Sequence, residues 1–92
     1  MITERIVTIK NKQGLHARPA AMFVQIANKY NSEITIVKGR QKVNGKSIMG
    51  IMMLAAGAGS RVTIIANGDD ADAAATALER LLQTDDMDEF VI

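Results

Sequence analysis

Pro19 is the only proline in the chain, and it restricts what the first third of the sequence can become. Proline has no N–H and a fixed φ, so a helix tolerates it only in the first turn. Beyond it, Ala20, Phe23, Val24, Ala27 and Tyr30 recur at helical spacing. That pattern predicts a helix from Ala17 to about Tyr30, ended by Asn31-Ser32. His16 then stands at or just before the N-cap, and Gly14 permits the tight turn leading into it.

The remaining segments divide cleanly between two periods. Residues 2–9 mix β-branched and polar residues, with Val7 and Ile9 on one face, and predict a strand. Residues 33–38 predict a second strand with Ile34 and Ile36 inward, and a short third strand is expected around Val43, closed by Asn44-Gly45. Ser47 reads as the N-cap of a short helix through about Leu54. A glycine-rich connection, Ala55 to Ser60, leads to a fourth strand, Arg61 to Asn67, with Val62, Ile64 and Ala66 inward. Asp69 or Asp70 caps a last helix to about Gln83, which turns Ala74, Leu78, Leu81 and Leu82 inward. The order β-α-β-β-α-β-α predicts an α+β open-faced sandwich: a four-stranded antiparallel sheet with three helices on one face. A chain of 92 residues without an internal repeat or linker is expected to form one domain, residues 1–92.

Composition removes several function classes. With no cysteine, neither a disulfide nor a thiolate can act, and one histidine cannot build a His-rich metal site. No metal and no cofactor are expected. Phe23, Tyr30 and Phe90 are the only aromatic residues, too few for the stacking surfaces that bind single-stranded nucleic acid. The N-terminus lacks a signal-peptide stretch, and the longest apolar run, Ile48 to Ala58, is short and interrupted by Gly50 and Gly57. A cytoplasmic protein with no membrane insertion is expected. Charge is unevenly spread: residues 1–50 carry nine Lys/Arg against two Asp/Glu, and residues 51–92 carry two against eight. The asymmetry suggests either a basic docking face for acidic partners or a solvated acidic last helix and tail.

The informative segment is Gly14-Leu15-His16-Ala17-Arg18-Pro19-Ala20. A helix mouth attracts anions, because its first amides lack intrahelical acceptors and the dipole is positive there. The amides of Ala17, Arg18 and Ala20 are the expected donors. A neutral imidazole is a good nucleophile near neutral pH, and Arg18 could supply a charge-assisted fork to the same oxygens. Nucleophile, anion cradle and guanidinium thus fall within five residues. The same residues also suit a simple cap, or an anion site without covalent chemistry. A Ser-His-Asp arrangement finds no Gly-x-Ser-x-Gly elbow, and Gly57-Ala58-Gly59 lacks the Lys-Ser/Thr of a P-loop.

That segment resembles the active site of the HPr family, the histidine-containing phosphocarriers of the bacterial phosphoenolpyruvate-dependent sugar phosphotransferase system. A second stretch, Val43-Asn44-Gly45-Lys46-Ser47-Ile48-Met49-Gly50-Ile51-Met52, resembles the regulatory-serine motif of the same family, at its usual separation. The resemblance spans essentially the whole chain. It implies that His16 receives a phosphoryl group at Nδ1 from enzyme I and passes it to a IIA-type acceptor, with Arg18 neutralising the phosphate. It implies also that an HPr kinase/phosphorylase modifies Ser47, and that Ala21, Met22, Ile48, Met49 and Met52 form the apolar docking surface. A freely diffusing monomer suits such a shuttle.

Two other readings remain at this point. One is a carrier serving regulation alone, as in the nitrogen-related branch. The other is a binding module in which phospho-Ser47 docks to a transcription regulator. The chain also departs from many members: Gln25 and Asn28 stand where basic residues are common, and Ala55 to Gly59 is unusually bare.

Overall fold

The computed structural model describes residues 1–84. The acidic residues expected at the end of the chain, Asp85, Asp86, Asp88 and Glu89, lie outside the described residues, as does Phe90. The elements follow the predicted order: β1 Ile2–Thr8, α1 Ala17–Ala27, β2 Glu33–Lys38, β3 Gln41–Asn44, α2 Ile48–Met53, β4 Arg61–Asn67 and α3 Ala71–Leu82.

All three strand pairings are antiparallel and give the sheet order β1-β4-β2-β3. Strand alternation then decides which face is covered. Val7 pairs with Val62, and Ile36 with Ile64, so the inward rows of neighbouring strands coincide. Val7, Ile34, Ile36, Val62, Ile64 and Ala66 are all buried beneath the helices. The opposite face carries Glu4, Ile6, Thr8 and Arg61, all exposed. It is an open-faced sandwich.

The helices form one layer over this sheet, with α3 lying on β1 and β4, α1 against α3, and α2 against α1 and β3. Each presents an apolar stripe: Pro19, Ala20, Met22, Phe23, Ile26 and Ala27 from α1, Ile51 from α2, and Ala71, Ala74, Ala75, Leu78, Leu81 and Leu82 from α3. Helix α1 stops at Ala27 rather than at Tyr30. Lys29 and Tyr30 donate instead to the carbonyls of Ile26 and Ala27 in tighter i→i+3 turns. Tyr30 still packs against the core, though partly exposed.

Charge separation along the sequence is partly cancelled by folding. Arg5, on the helix side of β1, pairs with Glu79 at 3.0 Å, reaches Thr76 at 3.3 Å and lies 3.9 Å from Asp72. Those three partners are successive turns of α3 facing β1, and Thr3 adds a bond to Asp72. Asp70 is the N-cap residue of α3, but its side chain makes no cap bond. It reaches across to accept from the amides of Asn31 and Ser32 and from the Ser32 hydroxyl. These bonds, led by that from the hydroxyl, hold its carboxyl below the ordinary carboxylate range. The start of α3 is thereby fastened to the turn that ends α1.

Candidate functional site

The site is built on the junction between β1 and α1. Ile9 continues the first strand by exchanging bonds with the chain at Gly59 and Ser60. The amide of Gly14 then donates to the Asn11 carbonyl, closing a turn. Gly14 has φ +65°, and a Cβ there would stand 2.7 Å from both the Ala56 oxygen and the Gly57 Cα. Both the backbone angle and the close approach therefore require glycine. Beside it, Leu15 is fully buried and its amide donates to the Ala56 carbonyl at 2.8 Å. The loop before His16 is thus fixed against the segment that follows α2.

His16 emerges from this anchored loop as the N-cap of α1, in extended conformation (φ −106°, ψ 178°). Its side chain makes no cap bond, and the residue is exposed, as are Ala17 and Arg18. Pro19 sits at the third helical position and is buried. The first intrahelical bond runs from the Ala20 amide to the His16 carbonyl at 2.9 Å. This corrects one expectation: Ala20 is not a donor to the mouth, because its N–H closes the first turn. Pro19 has no N–H, so the main-chain donors preceding that bond are those of Ala17 and Arg18. No acidic residue occupies the first turn to compete for them. An exposed imidazole at the positive end of an eleven-residue helix is suited to carrying an anion.

Ser47 marks the other end of the neighbouring element. Its Oγ accepts from the Gly50 amide at 3.1 Å, the N-cap bond expected from the sequence. Asn44 prepares this turn by accepting from the Lys46 amide at 2.8 Å. Lys46 in turn donates from Nζ to the Tyr30 carbonyl at 2.8 Å, fastening the approach to Ser47 onto the chain just beyond α1. Helix α2 therefore runs from Ser47 at its start to the segment that holds the His16 loop at its end.

On its outer side α2 exposes Ile48, Met49, Met52 and Met53, whose exposures run from 42% to 70%. Ile51 and Leu54 are buried, as expected. Met22 is not part of this surface. It is only 6% exposed and belongs to the core, because the buried stripe of α1 is wide enough to include it beside Phe23 and Ile26. Ala21 is half-buried. Of the docking residues expected from the sequence, the three on α2 are exposed and Met22 is withdrawn.

Sequence reasoning also missed two lysines. Lys46 and Lys38 both direct their ammonium groups to main-chain carbonyls, that of Tyr30 beyond α1 and those of Leu54 and Ala55 where α2 ends. For Lys38 a signal existed in the alternation of β2, where it occupies an inward position after Ile34 and Ile36. Among the described residues no group of three or more His, Cys, Asp or Glu could hold a metal ion, and no helix is long and apolar enough to cross a membrane.

Comparison with known proteins agrees with this geometry. The family described as "PTS HPr component phosphorylation site" matches residues 3–84. The HPr-like protein Crh of Halalkalibacterium halodurans is 54% identical over 77 residues, covering 84% of this chain and 92% of that protein. The crystal structure of the phosphocarrier protein HPr of Bacillus anthracis superimposes with a TM-score of 0.87 at 49% identity, covering 89% of this chain and 98% of the other. A crystal structure of an HPr dimer from Thermoanaerobacter tengcongensis has a TM-score of 0.70 at 53% identity, covering 84% and 88%. The chain belongs to the HPr family, phosphocarriers of the phosphotransferase system rather than turnover enzymes.

Proposed function

We propose that His16 is the phosphoryl acceptor, taking the group at Nδ1 from phosphorylated enzyme I and delivering it to a IIA-type domain in sugar uptake. The observation that carries this reading is an exposed imidazole, making no side-chain cap bond, at the N-cap and positive end of α1. In the transfer, the bond joining the phosphoryl group to enzyme I breaks as the bond to Nδ1 forms. The incoming oxygens then meet the first turn of α1, where amide donors and the helix dipole stabilise them. Arg18 contributes its guanidinium to the same charge. Nothing in this step needs a cofactor, since the donor supplies the energy.

Ser47 is the regulatory site in this reading, modified by an HPr kinase/phosphorylase. A phosphate there adds roughly −1.5 to −2 charges beside Ile48, Met49 and Met52, the exposed surface on which partners dock. Exposed apolar groups of this extent mark interaction surfaces. Ala21 borders the surface, and docking to an acidic partner weakens by charge rather than by unfolding. The carrier works in the cytoplasm as a monomeric shuttle formed by one domain.

A second reading keeps the fold and changes the use: a carrier or phospho-Ser47 binding module serving regulation alone. The similarity to an HPr-like protein named Crh favours giving it room. The two separate in one experiment. Radiolabelled phosphoenolpyruvate and enzyme I should place acid-labile label on the wild type and none on His16→Ala, and the label should then move to a IIA domain. Label that stays on the carrier with every IIA domain offered supports regulation alone, and a wild type that never labels overturns the carrier reading.

A further inference from the structure

Beyond the groups already assigned, the structure places one buried-side cation against the segment that holds the His16 loop. Lys38 is the third inward position of β2, following Ile34 and Ile36. Strand alternation would put an apolar side chain there. Lys38 instead runs half-buried beneath the helix layer, and its Nζ lies 3.4 Å from the Leu54 carbonyl and 3.3 Å from the Ala55 carbonyl. These carbonyls sit at the C-terminal end of α2, where no intrahelical amide remains to satisfy them.

Ala55 is the only non-glycine residue with positive φ among the described residues, at +50°. An L side chain disfavours that conformation, and it persists only where the surroundings impose it. Two bonds flank it. On one side the Lys38 ammonium holds the Leu54 and Ala55 carbonyls. On the other, the Ala56 carbonyl accepts from the Leu15 amide at 2.8 Å, one residue before His16. Gly14 lies so close to Ala56 and Gly57 that no Cβ fits between the two segments.

We infer that Lys38 is a positioning residue for the phosphoryl-accepting loop, acting through Ala55. Its ammonium keeps Ala55 left-handed, which aims the Ala56 carbonyl at Leu15 and so fixes where the N-cap imidazole stands. Without it Ala55 relaxes toward ordinary φ, the Ala56 carbonyl swings, and the loop before His16 loosens. Lys38 makes no contact with the transferred group in this account. The inference rests on His16 being the acceptor.

The test measures phosphoryl transfer from phosphorylated enzyme I to the full chain, together with hydrogen exchange at the Leu15 amide. Lys38→Met should lower the transfer rate constant roughly fivefold, the scale of one lost hydrogen bond, leave KM unchanged, and speed exchange at Leu15. Lys38→Arg, which keeps a donor on a comparable stem, should transfer like the wild type. Adding Ala55→Gly to Lys38→Met should restore both readouts, because glycine enters the left-handed region without strain.

A raised KM with an unchanged rate constant would overturn the inference and make Lys38 a docking cation. Failure of Ala55→Gly to restore transfer would equally overturn the route through Ala55. If the wild type takes no phosphoryl group, the carrier reading fails, while exchange at Leu15 in the same variants still decides whether Lys38 holds the loop.

Discussion

Two helix starts lie on the same side of this sheet, and the chain finishes them differently. At Ser47 the side chain turns back and accepts from Gly50, so the end of α2 is closed by its own N-cap. At His16 the N-cap side chain makes no such bond, and the first turn of α1 contains no acidic residue. The difference is one of chemistry. A hydroxyl is short enough to satisfy an amide two or three residues on, whereas an imidazole is a poor cap, and the third helical position after His16 is Pro19, which has no N–H to accept from. The Ser47 end stabilises its helix with its own hydroxyl; the His16 end leaves an exposed imidazole, without a cap bond, at the positive pole of α1.

The comparison is most sharply broken by removing the imidazole. His16→Ala should abolish phosphoryl acceptance while leaving thermal stability within about 0.5 kcal/mol of the wild type, the range of an exposed substitution that breaks no bond. Gly14→Ala should damage both properties. The added Cβ meets backbone atoms at 2.7 Å in a residue with positive φ, which should cost at least about 2 kcal/mol in denaturant unfolding and displace the loop before His16.

Ser47 gives the converse case. Ser47→Ala should lower stability by about 1 kcal/mol and leave transfer to His16 intact. Ser47→Asp retains a capping oxygen, so it should unfold near the wild type yet transfer more slowly from enzyme I. Equal loss of transfer in both variants would show that the cap, rather than the charge, matters.

The smallest effect belongs to the third helix start. Asp70 caps no amide of its own helix but holds Asn31 and Ser32. Its pKa is lowered on folding, so the unfolded chain binds the proton more readily. Its contribution is therefore present above the ordinary carboxylate pKa of about 4 and is lost as pH falls through the lower folded value. Asp70→Asn should reduce stability at neutral pH and flatten the acid limb of the unfolding curve. An unchanged acid limb would remove Asp70 from the account.

Much of this was legible because it depends on local pattern. The proline in the first turn of α1 located the helix start, the alternation around Val62 and Ile64 fixed the covered face, and the Ser47 cap followed from a hydroxyl ahead of an apolar run. What escaped depends on contacts far apart in sequence. Met22 looked available for docking until the width of the α1 stripe was set by packing against the rest of the core. Asp70 had the spacing of a cap, yet the turn at Asn31 and Ser32 competes successfully for its carboxylate. Arg5, Lys38 and Lys46 counted toward a basic surface, but they bind α3, the end of α2 and the chain beyond α1. The left-handed Ala55 had no local signal, since alanine does not ordinarily mark such a position.

The open mouth of α1 is tested most directly by following amide proton resonances while His16 is phosphorylated by enzyme I and phosphoenolpyruvate. The account predicts downfield shifts at Ala17 and Arg18 as their amides bond the new oxygens, with Gly50, already bonded to Ser47, unmoved. A phosphorylated His16 that leaves Ala17 and Arg18 unshifted would contradict it.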